Sequence, residues 1–316
     1  MASIASNVAC NSSAGECSPR RNASTSDTAS PCHGRSATAQ AYDARIVSLQ
    51  AMDSREFLGL RRESDERFSL EVLSRLGTSG SFLFGGAGLG AGIAALETVT
   101  GRPCTWATAQ YLSYARLSEH LDIDVTVAVE GSSVTQARAT CRVGDREVLT
   151  VNAALGDRAF DASGQFVSMP EVAAPEESRP RTLRAAHANS IMEALDMRIA
   201  KGRDLDELDG TPSDGRTIMW VRIKSLVDGI DAAALGILGD FVPMAAGQAL
   251  GLRAGGNSLD NTIRFARLVP ADWVLLDIQV ESVQRGFAHG TIQMFAQDGT
   301  LLATASQSCI ARKWKN

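Results

Sequence analysis

The sequence predicts an α+β protein of duplicated plan, in which an antiparallel sheet wrapped around a central helix occurs twice. Three observations carry this expectation. A small-residue helix candidate, Gly85 to Thr98, is followed by strand-like runs at 104–116, 120–130, 132–143 and 147–155. The same order recurs about 154 residues later, with a helix candidate from Gly239 to Leu250 and runs at 259–268, 273–283, 286–296 and 300–310. A repeat at that distance indicates domain duplication, because solenoid repeats have periods of roughly 20 to 50 residues. Finally, 316 residues at 44% hydrophobic content supply enough apolar material for two cores.

Residues 1–51 are expected to stand apart from the fold. As far as Ala41 the chain is Ser, Ala, Asn, Thr and Gly with almost no large aliphatic side chains, so burial cannot offset the entropy of ordering. The segment reads as a disordered tail, or as a mis-assigned start with Met52 as the true one. Arg20, Arg21 and Arg35 against Glu16 and Asp27 give it a faint transit-peptide composition, but no arginine precedes residue 20. Amphipathic patterning begins at Phe57, Leu58 and Leu60 and continues at Phe68, Leu70 and Leu73. Within the first copy, Leu121, Ile123, Val125, Val127 and Val129 alternate with polar residues, the period of a strand with one buried face. Gly144-Asp145 and Asp298-Gly299 suit tight turns. Pro170, Pro175 and Pro180 with Glu171, Glu176 and Glu177 mark a linker. The expected units are residues 52–160, a linker at 161–184, and residues 185–316.

The charge balance excludes several function classes. A net charge of -5 and a pI near 5.5 provide no basic field for nucleic acid or an anionic membrane surface. No uninterrupted apolar run of about 18 residues predicts a membrane span, no charged-then-apolar leader stands at the start, and a cytoplasmic location is expected. Six scattered cysteines and four histidines (His33, His120, His187, His289) fall outside metal spacing, so neither a metal nor a disulfide framework is expected. The histidines read as surface or turn residues. Trp106, Trp220 and Trp273 lie in strand candidates and read as core packing or pocket lining. Gly86-Ala-Gly88-Leu-Gly90-Ala91 matches a dinucleotide fingerprint, but antiparallel-looking strands follow and the acidic residue about 20 positions on is missing. Those small residues are read instead as a close-packing helix face. No G-x-S-x-G elbow occurs.

From about residue 57 to Lys313 the chain resembles the acyl-CoA thioesterase II family, the TesB-like double hotdog proteins. The likeness rests on Phe84-Gly85-Gly86 before a small-residue helix and on Glu130-Gly131 leading into Gln136-Ala-Arg138-Ala. In the second half it rests on Leu238-Gly239-Asp240-Phe241, Ser258-Leu259-Asp260 and Ala305-Ser306-Gln307, with Leu195-Asp196-Met197-Arg198 and Met219-Trp220-Val221-Arg222 as preceding strands. The resemblance implies hydrolysis of acyl-CoA to free acid and CoA, with Asp240, Ser258 and Gln307 as the catalytic set and no cofactor. It departs from the family where serine replaces a frequent threonine at 258, and where Asn261 stands in place of a common histidine. Chemically the set fits: a carboxylate can take a proton from water, while a hydroxyl and an amide each combine donor and acceptor capacity for aiming it. Gly85 and Gly86 are candidate donors to the substrate carbonyl, because glycine permits close backbone approach near a helix N-terminus. Subtracting 154 from the three positions lands on Gly86, Cys104 and Ala153, so the first copy is read as non-catalytic. Asp260 is read as structural. Taken alone, Asp240 could equally be a helix cap. The alternatives are a non-catalytic acyl-CoA-binding protein and a hotdog hydratase or dehydratase, the latter disfavoured because no histidine lies near Asp240 or Ser258 in sequence. Assembly into a homo-oligomer is compatible with such domains.

Overall fold

The computed structural model describes residues 52–226 and 229–314; the expectations for residues 1–51, including His33, Cys10, Cys17 and Cys32, lie outside the described residues. In chain order the elements are α1 (Ser54–Leu58), β1 (Arg61–Arg62), β2 (Arg67–Glu71), α2 (Gly85–Thr100), β3 (Cys104–Tyr111), β4 (His120–Glu130), β5 (Val134–Val143) and β6 (Arg146–Gly156). They continue with β7 (Arg179–Pro180), α3 (Ile191–Ala194), β8 (Leu195–Lys201), β9 (Arg216–Ile223), α4 (Ala232–Leu238), α5 (Val242–Leu250), β10 (Ala254–Phe265), β11 (Val274–Gln284), β12 (Phe287–Ala296) and β13 (Leu301–Lys313). This is the helix-wrapping antiparallel arrangement of the hotdog fold, present twice.

All the strands join one antiparallel sheet in the order β1-β2-β4-β5-β6-β3-β10-β13-β12-β11-β9-β8-β7. The order reads the same outward from its middle: β3 and β10 meet, β6 and β13 flank them, then β5 and β12, then β4 and β11. At the seam Thr108 pairs with Thr262, its own counterpart 154 residues on, and their hydroxyls lie 2.7 Å apart. A pseudo-two-fold axis therefore passes through this pair.

The helix α2 is Gly-rich, and glycine costs roughly 1 kcal/mol against alanine inside a helix. Packing compensates for that weakness. A Cβ on Gly86 or Gly90 would lie 2.4 Å from the Ile237 carbonyl or 2.6 Å from the Ala233 carbonyl, while one on Gly92 would lie 2.6 Å from Val151. One face of α2 is thus stripped to backbone for α4 and the other for β6, which accounts for the fingerprint-like glycines without a nucleotide.

Several boundaries differ from expectation for physical reasons. The helix expected from Gly239 to Leu250 is α5, which starts later, at Val242, and a further helix that was not expected, α4, precedes it across a break at Gly239-Asp240-Phe241: Gly239 caps α4, and Pro243 sits in the first turn of α5, where a missing N–H is harmless. The α4 turn is buried on all sides, so no polar face announces it. The segment Ala232–Leu250 is long and apolar enough to cross a membrane, yet most of it is buried in the fold. β3 stops at Tyr111 because the next two N–H groups both turn to the Val148 carbonyl. In β4, Leu121, Ile123 and Val125 are buried, but a register shift follows Val127 and leaves Val129 exposed. Trp220 and Trp273 are buried in a side cluster with Leu275 and Phe295. His187, read as a surface or turn residue, ends a short helical turn, Ala185–His187, and is buried there.

Candidate functional site

Asp240 occupies the break between α4 and α5, so its side chain is not spent on the helix that follows it. The N-cap of α5 is Phe241 and makes no side-chain cap bond. Instead, Asp240 Oδ2 accepts the Gly86 N–H at 2.7 Å, capping the start of α2 from across the molecule. The cap reading of Asp240 is thus half right, with the other helix as beneficiary. α2 has no side-chain cap of its own at Phe84, and its N-terminal dipole favours a negative group there.

Ser258 and Gln307 reach the same carboxylate from adjacent strands. Gln307 stands opposite Asn261 in the β10–β13 register, and both side chains are buried. Ser258 lies three positions from Asn261, an odd spacing that would put it on the opposite face of a regular strand. A register shift between Ser258 and Asp260 resets the alternation and turns Ser258 inward. Asp260 holds this bulge, its Oδ1 accepting the Ser308 N–H at 2.9 Å.

The three side chains form a closed network. Ser258 Oγ donates to Asp240 Oδ1 at 2.9 Å, Gln307 Nε2 donates to the same oxygen, and Gln307 Nε2 also lies 2.9 Å from Ser258 Oγ. Burial pushes the Asp240 carboxyl up to about 6, while the bonds from Gln307, Ser258 and Gly86 hold it from rising further. The carboxylate is therefore mostly ionised at neutral pH but has a basicity well above an ordinary aspartate. Asp240 and Ser258 open onto a cavity of about 600 Å³, whose walls come from both halves of the repeat: Phe82, Leu83, Phe84, Tyr111 and Leu149 from the first, Phe241, Pro243 and Met244 from the second.

Of the two glycines read as carbonyl donors, Gly86 has its N–H committed to Asp240, which leaves it serving the carboxylate. Gly85 lines the cavity, and a Cβ there would lie 2.6 Å from Asp240 Oδ2. The Tyr111 hydroxyl fixes the Gly85 peptide by donating to its carbonyl at 2.9 Å. Burial, with Asp240 and Asp260 nearby, keeps that phenol neutral.

Residues 170–311 match a family model described as the acyl-CoA thioesterase C-terminal domain. A solved structure of a candidate thioesterase from Novosphingobium aromaticivorans is 34% identical, with a TM-score of 0.72 over 79% of this chain and 97% of the other. The chain belongs to the TesB-like acyl-CoA thioesterase family. Members of this family are acyl-CoA thioester hydrolases. Two more distant structures share the fold: a hot dog protein from Alicyclobacillus acidocaldarius at 19% identity and TM-score 0.72, covering 83% of this chain and 98% of its own, and an acyl-CoA thioesterase II from Mycobacterium marinum at 21% and 0.65, covering 83% and 99%. A comparison with curated proteins gives no match.

Three features of this TesB-like site were not readable from sequence spacing. Asn261, singled out only as a departure, donates through Nδ2 to the Gly239 carbonyl at 3.0 Å and so pins the peptide next to Asp240. Arg181 and His187 also line the cavity. Arg181 falls in the stretch read as linker, where an arginine between Arg179 and Arg184 in a polar, proline-containing segment carries no signal of its own.

Proposed function

We propose that Asp240 is the general base of a thioester hydrolase and that Ser258 and Gln307 orient its water. The observation that carries this is the convergence of Ser258 Oγ and Gln307 Nε2 on one oxygen of a buried carboxylate at the wall of a largely apolar cavity. Water reaching the carboxylate from the cavity gives up a proton to it as its oxygen bonds to the thioester carbon. The tetrahedral intermediate expels CoA as thiolate when the carbon–sulfur bond breaks, and the proton held by Asp240 returns to the departing sulfur or to solvent. The Gly85 N–H, at the first position of α2, is our candidate donor to the developing oxyanion, supported by the N-terminal dipole of a 16-residue helix.

In this reading the first half supplies cavity wall and the α2 N-terminus, and the second half supplies the base and its helpers. Thiol release from short, medium and long acyl-CoA esters, compared between wild type and Asp240→Asn, tests it. Release by the wild type alone supports the assignment. Equal release by the variant removes Asp240 from the mechanism, and tight acyl-CoA binding with no release by either makes the protein a binding module.

A further inference from the structure

We propose that Arg181 receives a carboxylate at the far end of the acyl chain, so that the preferred substrates are ω-carboxyacyl-CoA esters, the monothioesters of dicarboxylic acids. The inference rests on the hydrolase reading of the Asp240 site and adds the substrate class.

Arg181 is a buried cation without an ion-pair partner among the described residues. Arg181 follows directly on β7, its backbone fixed by a bond from its N–H to the Met197 carbonyl at 2.9 Å. Its side chain is only 7% exposed and lines the same cavity as Asp240 and Ser258. Nε is buried with no hydrogen-bond partner, and Nη1 meets only the sulfurs of Met197 at 3.6 Å and Met192 at 3.8 Å. Among the described residues no carboxylate lies within ion-pair distance of it. Asp204 acts on Arg181 through space, without a hydrogen bond to it, while its two oxygens accept the N–H groups of Thr182 and Leu205.

A buried guanidinium without an ion-paired anion carries a large desolvation cost, and among the described residues only Asp204, acting at a distance, offsets part of it. An ion-paired anion supplied by the ligand would complete the compensation. His187 provides a second donor beside it: its Nδ1 accepts the Arg184 N–H at 3.3 Å, which places the imidazole proton on Nε2. Burial and the neighbouring Arg181 and Arg184 lower the His187 pKa, so the ring is neutral at physiological pH and donates without adding a second charge. A guanidinium fork matches the planar geometry of a carboxylate.

CoA itself brings phosphates, but these are heavily hydrated, and an exposed cation at the cavity wall, Arg312, is better suited to them. Arg181 is the one shut away from solvent, among the apolar residues that accommodate an acyl chain. A plain acyl chain would leave the guanidinium unpaired, and a chain ending in a carboxylate would not.

The experiment compares kcat/KM for length-matched pairs: succinyl-CoA with butyryl-CoA, adipyl-CoA with hexanoyl-CoA, suberyl-CoA with octanoyl-CoA. Wild type, Arg181→Met and Arg181→Lys are assayed with each pair, and thermal melting checks that each variant folds. The expected result is a wild-type preference for the acid-ended member of at least one pair. Arg181→Met should lower kcat/KM for that substrate by roughly 100-fold while leaving its plain partner unchanged or improved. Arg181→Lys should fall between. Equal losses for both members, absent when the same acyl groups are presented on pantetheine lacking the CoA phosphates, would assign Arg181 to phosphate and overturn the proposal. No loss with any substrate would overturn it in favour of a packing role. Should the wild type release no thiol at all, the hydrolase reading fails on its own, and melting shifts with free adipate decide the site: stabilisation of the wild type but not of Arg181→Met retains the carboxylate receptor, and no shift discards it.

Discussion

Replacing Asp240 by asparagine should abolish turnover and, at alkaline pH, make the protein more stable. The native carboxyl titrates near 6 against 3.8 for an unperturbed aspartate, with burial as the leading cause. Native protein therefore binds this proton more tightly than the unfolded chain does. The stability associated with it is fully present below about pH 4, falls as the pH rises to about 6, and is absent above that. Each pKa unit corresponds to about 1.4 kcal/mol, so at pH 8 the ionised Asp240 costs the fold about 3 kcal/mol relative to a neutral group in the same place. Asparagine fits the network with one adjustment: its Oδ1 accepts the Gly86 N–H, its Nδ2 faces Ser258 Oγ, and the Gln307 amide turns over to present Oε1, which has no partner in the native protein. Urea denaturation of both proteins at pH 8 and pH 4 measures the effect. The expected difference is about 2 to 3 kcal/mol in favour of the variant at pH 8, shrinking toward zero at pH 4. A variant less stable than wild type at pH 8, or a difference unchanged between the two pH values, would refute the argument that ionisation in a desolvated site is what the wild type bears.

For the free enzyme, kcat/KM should fall about tenfold per pH unit below pH 6 and level off above it, because only ionised Asp240 accepts the proton; a profile flat from pH 5 to 8, on the order of three units, contradicts the base assignment. Ser258→Ala should lower kcat by roughly 100-fold with little change in melting temperature, and Ser258→Thr should restore most of it by returning the hydroxyl. A silent alanine variant would take the hydroxyl out of the mechanism. Gly86→Ala places a Cβ 2.4 Å from the Ile237 carbonyl and should cost about 2 kcal/mol or more by separating α2 from α4, read by denaturant midpoint. A neutral effect would mean that this interface yields.

The sequence showed the succession of helix and strands in each copy and three of the polar residues at the site because those features depend on local pattern. Alternation in β4, turn residues at Gly144 and Gly299, and the short motifs around Asp240, Ser258 and Gln307 all survive without tertiary information. What it hid depends on pairing. Nothing local marks the shift at Leu259 that brings Ser258 to the face of Asn261 and Gln307, since a bulge is visible only against a partner strand. The strand expected from residue 259 starts earlier, at Ala254, because Ala311 to Lys313 lie opposite Ala254-Gly255-Gly256. α4 escaped detection because it is apolar all round. Arg181 and His187 escaped for a different reason: each is an ordinary polar residue in a polar segment, and only the fold shows that the cavity closes over them.

The confinement of the acid to one half follows from how the repeat packs. In the strands, positions 154 apart are equivalent, which makes Gly86 the counterpart of Asp240. The helix C-caps, Gly101 and Gly251, repeat at a slightly shorter spacing, which makes it Gly90 instead. Both alignments arrive at a glycine pressed against a carbonyl of α4, with no space for a side chain of any kind. An acid in the first half would have to push α2 off α4 and would set a second carboxylate against the one already buried there, and like charges in a desolvated site repel strongly. The N–H of Gly86 does the opposite: it approaches Asp240 because it carries no side chain, and it donates to the carboxylate at 2.7 Å. The first copy is thus part of the site, with the side chain that Gly86 lacks as its contribution.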